Sequence, residues 1–397
     1  MSTARVHTID LQSPPVTQTL QQRGFVVGAI FTILAIIGAV ISPEQFFRSY
    51  LVGYMLWLGV TLGCMAFLMI QHVTGGVWGT VTRRMLEAGT RNIGMMTVLF
   101  IPIILGMRRL YIWTNPDEMA KDPHLKSLTQ QYLNPTGFVV RAVVYFAIWF
   151  LIIHFLNRWS LEQDKPPVRD IPAFRKVSAP GLLLYAFTIS FAVIDWVMSL
   201  TPPWISTIYA MIFIVGQCLG ALAFVIAVEA TLYRFPPMSQ ILKPKEVHDH
   251  GKLMLAFIML WAYFSFSQLL IIWAGNLPDE ITFFTRRFFG GWQAVGLFLV
   301  IFHFVIPFCL LLSRPFKRNP RTLVLLAVWI IVMRWVDIYW FIEPTAHKDF
   351  YFHWLDLVVP LAMGGLWVGM YFRNLRMRPL VAAYDPRAQV LLEPAHD

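Results

Sequence analysis

The sequence predicts an all-α polytopic membrane protein, and three observations carry that prediction. Hydrophobic residues occupy 57% of the 397 positions and charged ones only 14%, with a mean hydropathy of +0.60. The charges gather in islands, and ten apolar runs lie between them. Each run is about 20 residues long, the length a helix needs to cross a hydrocarbon core of roughly 30 Å with its backbone polar groups satisfied internally.

Taken in order, the first span covers residues 24–41 and follows a polar segment without a small-residue cleavage site, so it is expected to be retained. The second, 50–70, carries a stripe of small residues. The third, 92–107, is the shortest; it follows the charged stretch TRRMLEAGTRN and contains Pro102. A long loop from Arg108 to Pro135, read as a docking surface or short amphipathic cover, precedes the fourth span at 136–156. The fifth, 179–200, holds Asp195, and the sixth, 205–230, starts just beyond the PPW turn. The seventh, 253–275, follows PKEVHDHGK. The eighth, 288–313, contains His303 and Pro307, the ninth, 322–342, contains Arg334 and Asp337, and the tenth, 354–373, opens with Asp356.

The net charge of +10 does not point to nucleic acid, because the cations sort by side. Of 32 Lys and Arg, 22 fall on one set of loops and tails, Arg83, Arg84, Arg91 and Lys317 among them. Eight fall on the other: Arg48, Arg108, Arg109, Lys121, Lys126, Arg286, Arg287 and Lys348. By the positive-inside rule both termini are cytoplasmic, as an even number of spans requires. Cys64, Cys218 and Cys309 lie within spans without paired spacing, so they read as packing residues rather than a disulfide, zinc or iron–sulfur framework. No Gly-rich phosphate loop is present.

An internal repeat is expected. Gly59, Gly63, Ala66 and Phe67 recur as Gly216, Gly220, Ala223 and Phe224 at an offset of 157. His154 in IIHFL matches His303 in IFHFV at 149, and Asp195 matches Asp337 at 142. Spans two to five (50–200) and six to nine (201–343) then form two parallel four-helix bundles. The first helix with its loop (24–49) and the tenth (344–375) flank them, and the tails are 1–23 and 376–397. Chance is the competing explanation, since small residues recur in membrane helices simply to allow close packing.

An ionisable group at a membrane centre costs about 3 kcal/mol, so the buried ones need interior partners. Asp195, Asp337, Arg334, Asp356 and Arg141 gather in the outer half, while His72, Glu229 and His154 lie nearer the cytoplasm and His303 near the middle. The functional reading is a proton-handling or quinone site, in which a buried carboxylate or histidine takes protons from a quinol headgroup. The structural reading pairs Arg334 with Asp337, lets Arg141 and Asp356 snorkel to the interface, and has His154 and His303 bond to neighbouring helices. Asp195 has no opposite charge within a turn on its own helix, which favours function there. A bis-histidine haem site lacks facing partners.

Several stretches resemble a family. TRRMLEAGTRN with LFIPIILGMRRLYIW, DWVMSLTPPWIST and above all WAYFSFSQLLIIWAGNLPDE are similar to the polytopic quinol-interacting subunits of bacterial alternative complex III, within the NrfD and polysulfide-reductase membrane-anchor family. The resemblance covers about residues 20–375, and the modest length and short tails are more similar to the ActF-like subunit than to the longer ActC-like paralogue. It implies a menaquinol:periplasmic acceptor oxidoreductase of a respiratory or photosynthetic chain, set in a bacterial cytoplasmic membrane. Iron–sulfur clusters and c-type haems would reside on partner subunits, namely an iron–sulfur protein and c-type cytochromes beside an ActC-like chain. This chain would bind no redox centre and would not be catalytic alone; it would contribute scaffold and proton-conducting or quinone-interacting groups, with menaquinone as the possible ligand. Asp195, in DWVMSL, would be an outer-side proton acceptor. A stand-alone ion-coupled transporter and a purely structural anchor are the alternative functions.

Overall fold

The computed structural model describes residues 11–121, 127, 132–202 and 204–392, so the ends of both predicted tails and part of the loop before Pro135 lie outside the described residues. Among the described residues, ten helices are long and apolar enough to cross a membrane. They are α1 (Val16–Ile41), α2 (Pro43–Thr74), α3 (Trp78–Leu105), α4 (Pro135–Glu162), α5 (Ala173–Trp196), α6 (Thr207–Leu232), α7 (Pro244–Gly275), α8 (Trp292–Leu312), α9 (Pro320–Ile342) and α10 (Leu355–Arg376). The chain is an all-α polytopic membrane protein, and among the described residues there is no strand.

Most helices start earlier than their apolar runs, and the local chemistry explains where. Pro occupies the first turn of α2, α4, α7 and α9, where a missing N–H and a fixed φ cost nothing. Asn134 caps α4 by accepting from the Gly137 N–H at 2.6 Å, and Asn319 caps α9 by accepting from Arg321 at 3.0 Å. The largest correction is α3. It begins at Trp78, well before the expected residue 92, and the supposed loop cations Arg83 and Arg84 are 1% and 2% exposed inside it. Glu87, one turn on, pairs with both, its carboxylate 3.0 Å from Arg83 and 2.9 Å from Arg84, and Asp164 pairs with Arg84 as well. Arg378 and Asp385 from the C-terminal segment join this network, at 3.3 Å from Glu87 and 2.5 Å from Arg83.

Helices α2 and α6 form the buried centre. Their recurring small-residue motifs meet each other there. A Cβ on Gly63 would lie 2.2 Å from the Gln217 carbonyl oxygen, and one on Gly59 would lie 3.1 Å from the Gln217 side chain. The stripe therefore lets the two backbones approach, as small residues do between membrane helices. Around this axis α2–α5 and α6–α9 each close a ring of neighbouring contacts, while α1 and α10 pack along one another. In that last pair Gly24 and Gly28 face Gly365 and Gly369 with no room for a Cβ.

Candidate functional site

A cavity of about 480 Å³ lies within the second ring, walled by α6, α7, α8, α9 and the short helix Pro278–Thr285. Its walls are mainly rings and aliphatic chains, including Trp261, Phe266, Phe283 and Phe341. Five polar side chains interrupt them, and of these Gln293 is exposed while the other four shape the cavity. Asp337, 1% exposed, accepts from Trp261 Nε1 at 3.1 Å and pairs with Arg334 one turn back on α9. Arg287 donates to the carbonyls of Phe283, Trp340 and Phe341 at 2.9, 3.1 and 2.7 Å and covers the Phe283 ring at 3.6 Å. Its charge is thereby fixed at one end of the cavity.

The other two features are unspent. Gln268 is 2% exposed, lines the cavity, and neither its amide oxygen nor its amide nitrogen has a hydrogen-bond partner. Ser265, one turn before it, has an equally unpartnered hydroxyl. A buried amide without partners is uncommon enough to need a reason, and a ligand that both donates and accepts supplies one.

Local backbone shapes this wall. Residues Val300–Val305 of α8 form a π-helical stretch, followed by Pro307. A π turn inserts one residue into the helical period, and such turns recur at functional sites. Val300 and Phe304 line the cavity, while His303 is fully buried behind it, its ring 4.1 Å from that of Trp261 and both nitrogens unpartnered. On α4, which has no such stretch, His154 is exposed and touches only Phe155 edge-on. The expected interior hydrogen bond of His154 is therefore corrected: it sits on the outer face of its helix. His303 likewise bonds to no neighbouring helix among the described residues.

The first ring treats its carboxylate differently. Asp195 is fully buried and bidentate with Arg141 of α4, at 2.9 Å for both contacts, and Tyr145 donates to it at 2.9 Å. Asp195 has no opposite charge within a turn on its own helix and finds one on a neighbouring helix. One expectation is corrected here: Arg141 does not snorkel but turns inward beneath the Tyr132 ring at 4.0 Å. Tyr132, on the connecting loop, has its phenol pushed up to about 12 by burial and the nearby Asp195 charge. Trp149, Trp196, Phe100 and Phe146 pack ring against ring around the pair.

The remaining candidates are dispersed. Asp356 does not snorkel: it is fully buried and accepts from Ser49 at 2.5 Å, Gln45 at 2.9 Å and the His353 N–H at 2.8 Å. Gln45 also donates to Glu343 at 3.3 Å, a buried carboxylate that the sequence reading passed over. Beside it, burial and the Arg48 guanidinium hold the His347 imidazole below its ordinary pKa. Glu229 lies 2.8 Å from His250 Nδ1, and the other nitrogen of His250 sits 2.9 Å from the Trp78 carbonyl. His250 was hidden in a stretch read as loop. His72 is 1% exposed and stacks on Phe174 at 4.3 Å with neither nitrogen bonded.

Thus the structure brings Arg334 and Asp337 together beside His303, and separates them from Asp195, Asp356, Glu229 and His72. Fold and site together define a multi-pass helical membrane protein with an apolar cavity laid against a buried ion pair. No protein-family model matches the chain, and no curated protein matches it.

Proposed function

We propose that this chain is an integral membrane subunit of a quinol oxidoreductase, and that the cavity of the second ring receives the quinol. The supporting observation is Gln268: a buried, unpartnered amide on the wall of an otherwise apolar space, with Asp337 on the same wall. A quinol presents hydroxyl groups on an apolar ring and tail. Gln268 offers an acceptor for one hydroxyl and a donor to the carbonyl that replaces it on oxidation. Oxidation releases two electrons and two protons; the electrons pass to redox centres on partner subunits, and Asp337 is placed to relay a proton. Menaquinol is the substrate suggested by the family resemblance. The ActC-like chain, iron–sulfur protein and c-type cytochromes of that resemblance are the proposed partners.

Gln268→Met tests this cleanly because no protein contact is lost. Removing an unsatisfied buried amide costs no stability and can add about 1 kcal/mol. The variant is expected to unfold at an equal or higher temperature, yet to show at least a tenfold higher KM for menaquinol in the complex isolated by a tag on this chain. Unchanged quinol kinetics in a stable variant would remove the cavity from the reaction. Isolation of the tagged chain without haem or iron–sulfur partners would remove the oxidoreductase reading and favour a transporter.

A further inference from the structure

We propose that the face opposite the termini binds the headgroup of an anionic phospholipid carrying two phosphates, one in each of two adjoining cationic hollows. The first hollow, about 140 Å³, is lined by Arg48, Arg108 and Arg109. The second, about 420 Å³, is lined by Arg286, Lys348 and Phe289. Thr345 and Ala346 wall both, so the hollows are neighbours, and no Asp or Glu lines either one.

These cations are largely unspent. Arg48 contacts His347 Nε2 at 3.3 Å and lies within electrostatic reach of the buried Glu343 carboxylate, and Arg286 donates to the Thr345 carbonyl at 3.4 Å, but none of the five forms a salt bridge among the described residues. They also lie on the cation-poor side of the chain: five of the eight Lys and Arg assigned to that side line these two hollows. Arg108, Arg109, Arg286 and Lys348 form no ion pair among the described residues, so their convergence favours an anion. Guanidinium forks match phosphate oxygens in bidentate geometry, and a lysine adds a point charge for the same group.

The surroundings favour a lipid as the source of the phosphate. Ile112 in the wall of the first hollow is 47% exposed, Phe289 in the second is 69% exposed, and Phe350 nearby is 49% exposed. Large apolar side chains left open beside cations mark the level where headgroups give way to acyl chains. A diester phosphate in each hollow would leave its chains against these residues. This site shares no lining residue with the quinol cavity, although Arg286 and Phe289 adjoin its Arg287 and Phe288, and its fate does not depend on that reading.

The test uses the full-length protein, delipidated in detergent, with diphosphatidylglycerol, phosphatidylglycerol, phosphatidylcholine or inorganic phosphate added. Retention is read by native mass spectrometry, and protection by thermal unfolding. Diphosphatidylglycerol is expected to remain bound at activation energies that strip phosphatidylcholine, and to protect more than phosphatidylglycerol. The variants R108Q/R109Q and R286Q/K348Q are each expected to weaken its binding by roughly tenfold or more. Single variants R108Q and K348Q, with smaller losses, serve if a double variant folds poorly. Equal retention of phosphatidylcholine, equal protection by inorganic phosphate, or wild-type lipid affinity in variants that fold would each overturn the proposal.

Discussion

The two buried carboxylates of the matched positions differ in what their arginines can do when left alone. Arg141 is 22% exposed in its side chain, so on loss of Asp195 its charge retains a route to water. Arg334 is buried against Gly216, where a Cβ would lie 2.0 Å from its guanidinium, and has no such route. Stripping one partner from a buried ion pair costs about 3–5 kcal/mol. Asp337→Asn is therefore expected to lower the unfolding temperature more than Asp195→Asn, with both below wild type in the same detergent. Equal effects would mean that Arg334 finds water or another acceptor. Much of this residue-scale pattern was beyond the sequence. The Arg334–Asp337 pair is legible from a spacing of three along one helix. The Arg141–Asp195 pair joins residues 54 apart on two helices, and no spacing rule announces it. Gln268 was passed over because an uncharged amide in an apolar run raises no alarm until its lack of partners is seen.

At the scale of elements, hydropathy located all ten helices but misjudged their ends. The apolar run reports the hydrocarbon core, whereas helices continue into the interface until a cap or turn stops them. Helix α3 fared worst because Arg83, Arg84 and Glu87 look like loop charges when counted singly and become one neutralised cluster when folded. The π stretch of α8 was equally invisible, since IFHFV reads as regular helix. That stretch makes its own prediction. Deleting Ile301 removes the inserted residue and lets the helix run on with ordinary hydrogen bonding, leaving its two ends in phase. The variant is expected to fold with an unfolding temperature within a few degrees of wild type but to bind menaquinol at least tenfold more weakly, because the cavity wall carrying Val300 and Phe304 is rebuilt. Wild-type quinol affinity after the deletion would show the π turn to be incidental.

Across the whole molecule, the ends of the chain hold its middle together. Arg378 and Asp385 complete the charge cluster on α3, and Leu380 and Ala388 are buried beside them. Truncation after Met377 is expected to cost about 3 kcal/mol by reopening that cluster. Limited proteolysis should then cut near the start of α3 while α4–α9 stay protected; unchanged resistance would show that the tail only decorates the fold. The pairing of α1 with α10 has a different consequence. Helix α1 lies against α10, glycine to glycine, with little else covering α1. During synthesis α1 must therefore wait in the bilayer, its notched face open, while the intervening eight helices are threaded. The pair closes only once α10 has followed α9 into the membrane, so a product stalled before α10 is marked by an open groove that lipid must fill.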